Sequence, residues 1–80
     1  MLEKGSVVRS LAGRDKDRLL AVTDAADGAV CVCDGKERPL ERPKRKNPRH
    51  LADTGLRLPE HAADSNRALR KALAGFAERV

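Results

Sequence analysis

Tryptophan and tyrosine are absent from this 80-residue chain, and one Phe is its only aromatic residue. Readers of single-stranded nucleic acid stack bases on rings, so that mechanism has no platform here. An aromatic-rich protein interface is excluded on the same ground. Cysteine is scarce too: Cys31 and Cys33 stand two apart in an apolar stretch. In a strand they share a face and cannot bridge each other without backbone distortion, so reduced thiols are expected. No apolar run approaches the roughly 18 residues needed to span a bilayer. Met1-Leu2-Glu3-Lys4-Gly5 has no apolar core of a secretory signal. The expectation is a soluble cytoplasmic protein without a membrane partner. A chain this short forms one domain and buries roughly 60% of its unfolded surface, which disfavours a deep cleft between domains.

Positive charge is what the chain has in excess. Its net charge is +5, which points to a polyanionic partner. The excess is local. Residues 36–50 hold Lys36, Arg38, Arg42, Lys44, Arg45, Lys46 and Arg49 against Glu37 and Glu41, while the rest of the chain carries ten basic and ten acidic residues. Pro39, Pro43 and Pro48 forbid a continuous helix there, so the segment is expected as an extended or looped arm.

Ahead of the arm lie three short strand patterns: Ser6–Ser10, Arg18–Thr23 and Ala29–Cys33. A polar loop opened by Gly13 separates the first two, and Asp27-Gly28 is a hairpin signal between the second and third. Leu40 could anchor a short fourth strand, and Arg49-His50-Leu51 a fifth. Tight turns at this spacing suggest a small antiparallel barrel or curled sheet rather than βαβ units. After the arm, Thr54 and Gly55 mark the junction with a tail. Asp64 or Ser65 is a good N-cap there, and Leu69, Leu73, Phe76 and Val80 form a one-sided apolar stripe. The expected division is a barrel over 1–53, a linker over 54–64 and an amphipathic helix over 65–80. That stripe either docks the helix on the barrel or binds a partner protein.

The arm is the sharpest functional signal. Lys36, Arg42, Lys44, Arg45, Lys46 and Arg49 can neutralise phosphates and release counterions, and Arg adds bidentate contacts. The competing readings are a solvated loop that maintains solubility, and a membrane surface, although no apolar residue flanks the arm to insert. Cys31 and Cys33 with His50 and His61 lack the spacing of a zinc knuckle, so packing thiols are the preferred reading. No nucleophile–base order and no phosphate-cradling glycine loop appears, so neither catalysis nor a cofactor is expected. Asp24, Asp27 and Asp34 read as turn residues.

The stretch Gly5-Ser6-Val7-Val8-Arg9-Ser10-Leu11-Ala12-Gly13-Arg14-Asp15-Lys16 resembles a KOW motif. More narrowly, it is similar to bacterial KOW-domain RNA-binding proteins related to the fourteenth large-subunit ribosomal protein of archaea and eukaryotes. Pro43-Lys44-Arg45-Lys46-Asn47-Pro48-Arg49-His50-Leu51 resembles the basic strand that closes that domain, and Asn66–Leu73 the helix that follows it. The resemblance implies an SH3-like β-barrel that binds structured RNA, usually ribosomal, without catalysis. It implies RNA contacts at Arg14, Lys16 and Arg18 on the first loop and at Arg42, Lys44, Arg45, Lys46 and Arg49 along the arm. His50 is a further candidate, with an ordinary strand position as its alternative. Ribosomal proteins are further candidate partners. Asp17 departs from the family, which usually carries glycine there. A protein–protein adaptor and a transcription-associated KOW module remain the alternatives.

Overall fold

The computed structural model describes residues 2–26 and 28–78. Asp27 of the expected hairpin turn and Val80 of the expected stripe lie outside the described residues. Five strands, β1 (Ser6–Ser10), β2 (Leu19–Ala26), β3 (Ala29–Cys33), β4 (Lys44–Lys46) and β5 (Leu51–Arg57), precede one helix, α1 (Asn66–Ala77). All strand pairs are antiparallel, and their order across the sheet is β4-β3-β2-β1-β5. The chain thus meanders through four strands and returns to pair with β1. A mainly β domain with one C-terminal helix is what the sequence suggested. None of the described helices is long and apolar enough to cross a membrane.

Four boundaries differ from expectation. The second strand runs past Thr23 to Ala26, because its pairing with β3 continues to the turn, so Asp24 lies inside β2 opposite Cys31 rather than in a turn. Leu40 anchors no strand. It sits in the loop between Pro39 and Pro43, neither of which can donate to a ladder, and the fourth strand is Lys44–Lys46 instead. Arg49 and His50 belong to a single 3-10 turn, Pro48–His50, and the fifth strand starts only at Leu51. The Asn47 side chain accepts from the Arg49 N–H, and Pro48 presets the first turn position, so capping wins over strand propensity. Finally, Thr54 and Gly55 do not leave the sheet. They form a bulge inside β5, where pairing passes from Val8↔Asp53 to Ser6↔Arg57. Thr54 Oγ1 fills the gap by donating to the Val7 carbonyl at 2.7 Å. The connection to the helix is therefore 58–65.

Cross-strand partners share a face, so the register sorts the apolar residues into two cores. Val8, Leu20, Val22, Val30 and Val32 form one buried cluster together with Leu51. In a flat sheet β3 and β5 would lie three strand spacings apart, about 14 Å. β4 and β1 would lie equally far apart, yet Lys46 on β4 reaches Ser10 on β1 at 2.8 Å, so the sheet curls with this core inside. Among the described residues no ladder joins β4 to β5. The expected barrel is thus a curled sheet without hydrogen-bonded closure.

The second core lies on the outer face, where Val7, Ala21 and Cys33 meet Leu69 and Leu73 of α1. Central strands buried on both sides read as continuous apolar runs, which accounts for Val7-Val8 and Leu20-Ala21-Val22. The helix starts at an N-cap, Ser65, whose side chain accepts from the Ala68 N–H at 3.1 Å. Asn66 then clamps it to the arm: its Oδ1 accepts from Leu40 N at 2.8 Å, and its Nδ2 donates to Glu41 at 2.7 Å. Gly35 packs against the first helical turn with φ of +81°, and a Cβ there would collide with the Asn66 carbonyl. The apolar stripe docks intramolecularly. Leu69 is its fully buried anchor, whereas Phe76 is only half-buried at the rim.

Candidate nucleic-acid interface

The β1–β2 loop is closed by Ser10 N–H to Arg18 O at 3.0 Å and Asp17 N–H to Ser10 O at 2.8 Å. Gly13 adopts φ of +80°, as a tight turn requires, and Asp17 adopts φ of +72°. Aspartate tolerates that left-handed conformation better than most side chains, so the chain takes a glycine-like backbone at Asp17 without a glycine. Arg14 and Lys16 are held out into solvent by this loop.

Asp15 points the other way. Its sequence neighbours suggest a surface acid diluting the charge of Arg14 and Lys16, yet it is 1% exposed. Arg38 Nε meets its Oδ2 at 3.3 Å, while Oδ1 is buried without a hydrogen-bond partner among the described residues. The β3–β4 loop that carries Arg38 is preorganised by Asp34, whose carboxylate accepts from Lys36 N at 2.8 Å and Arg38 N at 2.9 Å. A buried carboxylate is costly unless paired, so Asp15 and Arg38 lock two basic loops together. They stand 23 residues apart, and no local pattern announces such a pair.

On β4 the residues alternate. Lys44 and Lys46 pair with Val32 and Val30 and so share the inner face, while Arg45 points outward. Lys46 reaches across the open end of the curl: its Nζ donates to Ser10 Oγ at 2.8 Å and to the Ala12 carbonyl at 3.2 Å. The 3-10 turn joins the same place, since Leu11 N–H donates to His50 O at 2.8 Å. First loop, β4 and turn therefore converge around Gly13. A shallow depression of 420 Å³ there is lined by Ala12, Gly13, Lys44, Arg45, Asn47 and His50 among others. A neighbouring basin of 620 Å³ is lined by Arg14, Arg18, Lys36, Glu37, Arg38 and Arg42.

Of the nine candidate residues, Arg14, Arg18 and Arg42 line the basin and Lys44, Arg45, Lys46 and His50 the depression, while Lys16 and Arg49 line neither, and their freedom differs. Arg14, Lys16, Arg42, Lys44, Arg45 and Arg49 are exposed and have no ion-pair partner among the described residues. Arg18 is paired with Glu37 at 2.9 Å, both about half-exposed, a contact worth under about 1 kcal/mol. Lys46 is half-buried and spends two of its three donors on the protein. His50 is exposed on the 3-10 turn, not on a strand. A second role for lysines on an edge strand is to discourage edge-to-edge pairing.

The sulfur and imidazole groups lie on separate parts of the fold. Cys33 is buried under α1 with Sγ 3.5 Å from the Pro39 carbonyl, and burial pushes its thiol pKa up. Cys31 is half-buried, and both thiols are free. His61, in the connection, holds φ of +69° with Nδ1 2.8 Å from Asp64 Oδ2.

No family model matches the chain, and no curated protein matches it significantly.

Proposed function

We propose that the protein is a non-catalytic binder of structured RNA that engages the phosphate backbone through the surface around Gly13. The convergence of the first loop, β4 and the 3-10 turn carries this reading. It joins exposed Arg14, Lys44, Arg45 and Arg49 with the nearby Lys16 and Arg42, cations contributed by segments some 30 residues apart. Without rings to stack on, recognition rests on charge and on the shape of a folded RNA. The KOW resemblance narrows the proposed target to ribosomal RNA in the cytoplasm. An adaptor could act through the tail stripe or a face of the barrel; Leu69 and Leu73 of the stripe are covered by the sheet, which leaves the barrel face to that reading.

The test is a salt titration of binding to a ribosomal RNA fragment and to duplex DNA. Lys44→Gln/Arg45→Gln/Arg49→Gln should lower the slope of log K against log salt by about 2.7. Lys46 is left intact because it also holds the sheet. An unchanged slope overturns the assignment of this surface. Equal affinity for duplex DNA favours a transcription-associated module instead.

A further inference from the structure

We infer that the exposed face of α1 is a second row of phosphate contacts, continuous with the basin, in which Arg67 and Lys71 meet the backbone of the same RNA. The inference rests on the RNA-binding reading above and extends it to a segment that the charge distribution along the chain does not single out. Residues 67, 70 and 71 are related as i, i+3 and i+4, so they share one helix face. That face is located by its middle member: Arg70 Nη1 donates to the Gly35 carbonyl at 3.2 Å. Gly35 precedes Lys36, which lines the basin with Arg14, Arg18 and Arg42. Arg67 and Lys71 are exposed on the face that Arg70 ties to the edge of the basin, while Leu69 and Leu73 face the sheet.

The local electrostatics point the same way. Asn66–Ala77 contains no acidic residue. Of the three acids on the adjoining loop, Glu37 is paired with Arg18 at 2.9 Å and Asp34 is turned onto the Lys36 and Arg38 backbone N–H groups, while Glu41 keeps its charge and accepts from Asn66 Nδ2 at 2.7 Å. Arg67 and Lys71 have no ion-pair partner among the described residues. The balanced charge outside residues 36–50 is thus a sum over distant places. Glu3, for example, is taken up by Arg57 at 2.7 Å, on the last strand.

The test uses the full chain and an RNA hairpin stem, with anisotropy titrations between about 50 and about 200 mM salt. Wild type is compared with Arg67→Gln/Lys71→Gln, Lys44→Gln/Arg45→Gln and Arg57→Gln, and thermal melts verify that each is folded. Two lost phosphate contacts lower the slope by about 1.8, so across that range the helix variant should lose about twelvefold less affinity than wild type. Arg67→Lys/Lys71→Arg should restore the wild-type slope, and Arg57→Gln should leave it unchanged. An unchanged slope in the helix variant, beside a reduced one in the β4 variant, overturns the helix inference alone. A wild type that does not bind the stem, or binds it independently of salt, overturns the RNA reading as well. A slope lowered equally by Arg57→Gln shows diffuse attraction and also overturns the inference.

Discussion

On one side of β1 and β2, Val8, Leu20 and Val22 are covered by the curl of the sheet itself; on the other, Val7 and Ala21 are covered by α1. The buried residues of the inner core are strand residues, with half-buried Leu2 packed against them, and the open end of its curl is held by a side chain, Lys46. The outer core depends on a segment that must return from the far end of the chain. There it is held by a polar clamp, Asn66, and by the close approach of Gly35. The difference teaches that α1 is part of the folding unit rather than an appendage. Without it, Val7, Ala21 and Cys33 would lose the buried Leu69 and Leu73 that cover them.

The comparison can be broken most forcefully at Leu69. Leu69→Ala should cost about 3–5 kcal/mol in urea unfolding, comparable to Leu20→Ala in the inner core. A cost below about 1 kcal/mol would show that the sheet is stable without its helix. Phe76→Ala, at the half-buried rim, should cost less than Leu69→Ala.

Next in size is Gly35→Ala, expected to destabilise by about 2–4 kcal/mol. It places a Cβ at positive φ and drives it into the Asn66 carbonyl. Because the clash lies at the helix contact, protease cleavage within 58–65 should accelerate along with the loss of stability. A loss of stability without faster cleavage would locate the strain in the turn alone.

The smallest effect sharpens the inner side. Lys46→Met keeps the aliphatic stem but removes both donors, leaving Ser10 Oγ and the Ala12 carbonyl without them. It should cost about 1–2 kcal/mol. The same substitution should also lower the RNA salt slope by under about 1. A stability loss with no slope change would assign Lys46 to the curl only.

Much of this architecture was legible in the chain. Val7-Val8 and Ala29–Cys33 have strand periodicity, and Ser65 with Leu69 and Leu73 has the cap and spacing of a helix, so β1, β3 and α1 appear where they were expected. Two of the misplaced boundaries share a cause. Thr54-Gly55 and Asn47-Pro48 carry turn chemistry that serves equally for leaving a sheet, bulging within one or turning between two strands. Only the partner strand decides which, here β1 opposite Thr54 and the β1–β2 loop opposite His50.

The same division runs through the candidate site. Sequence alone determined that the excess charge sits in residues 36–50, that the chain carries a single aromatic ring, and that Gly13 opens a polar loop. Those are properties of residue type and local backbone. The tertiary structure decided which cations remain available. It turned Asp15 inward onto Arg38, spent part of Lys46 on Ser10, paired Arg18 with Glu37, and tied Arg70 of the helix to Gly35, the residue before Lys36. Charge counts add along a chain, whereas fields add through space, and folding is what converts one into the other.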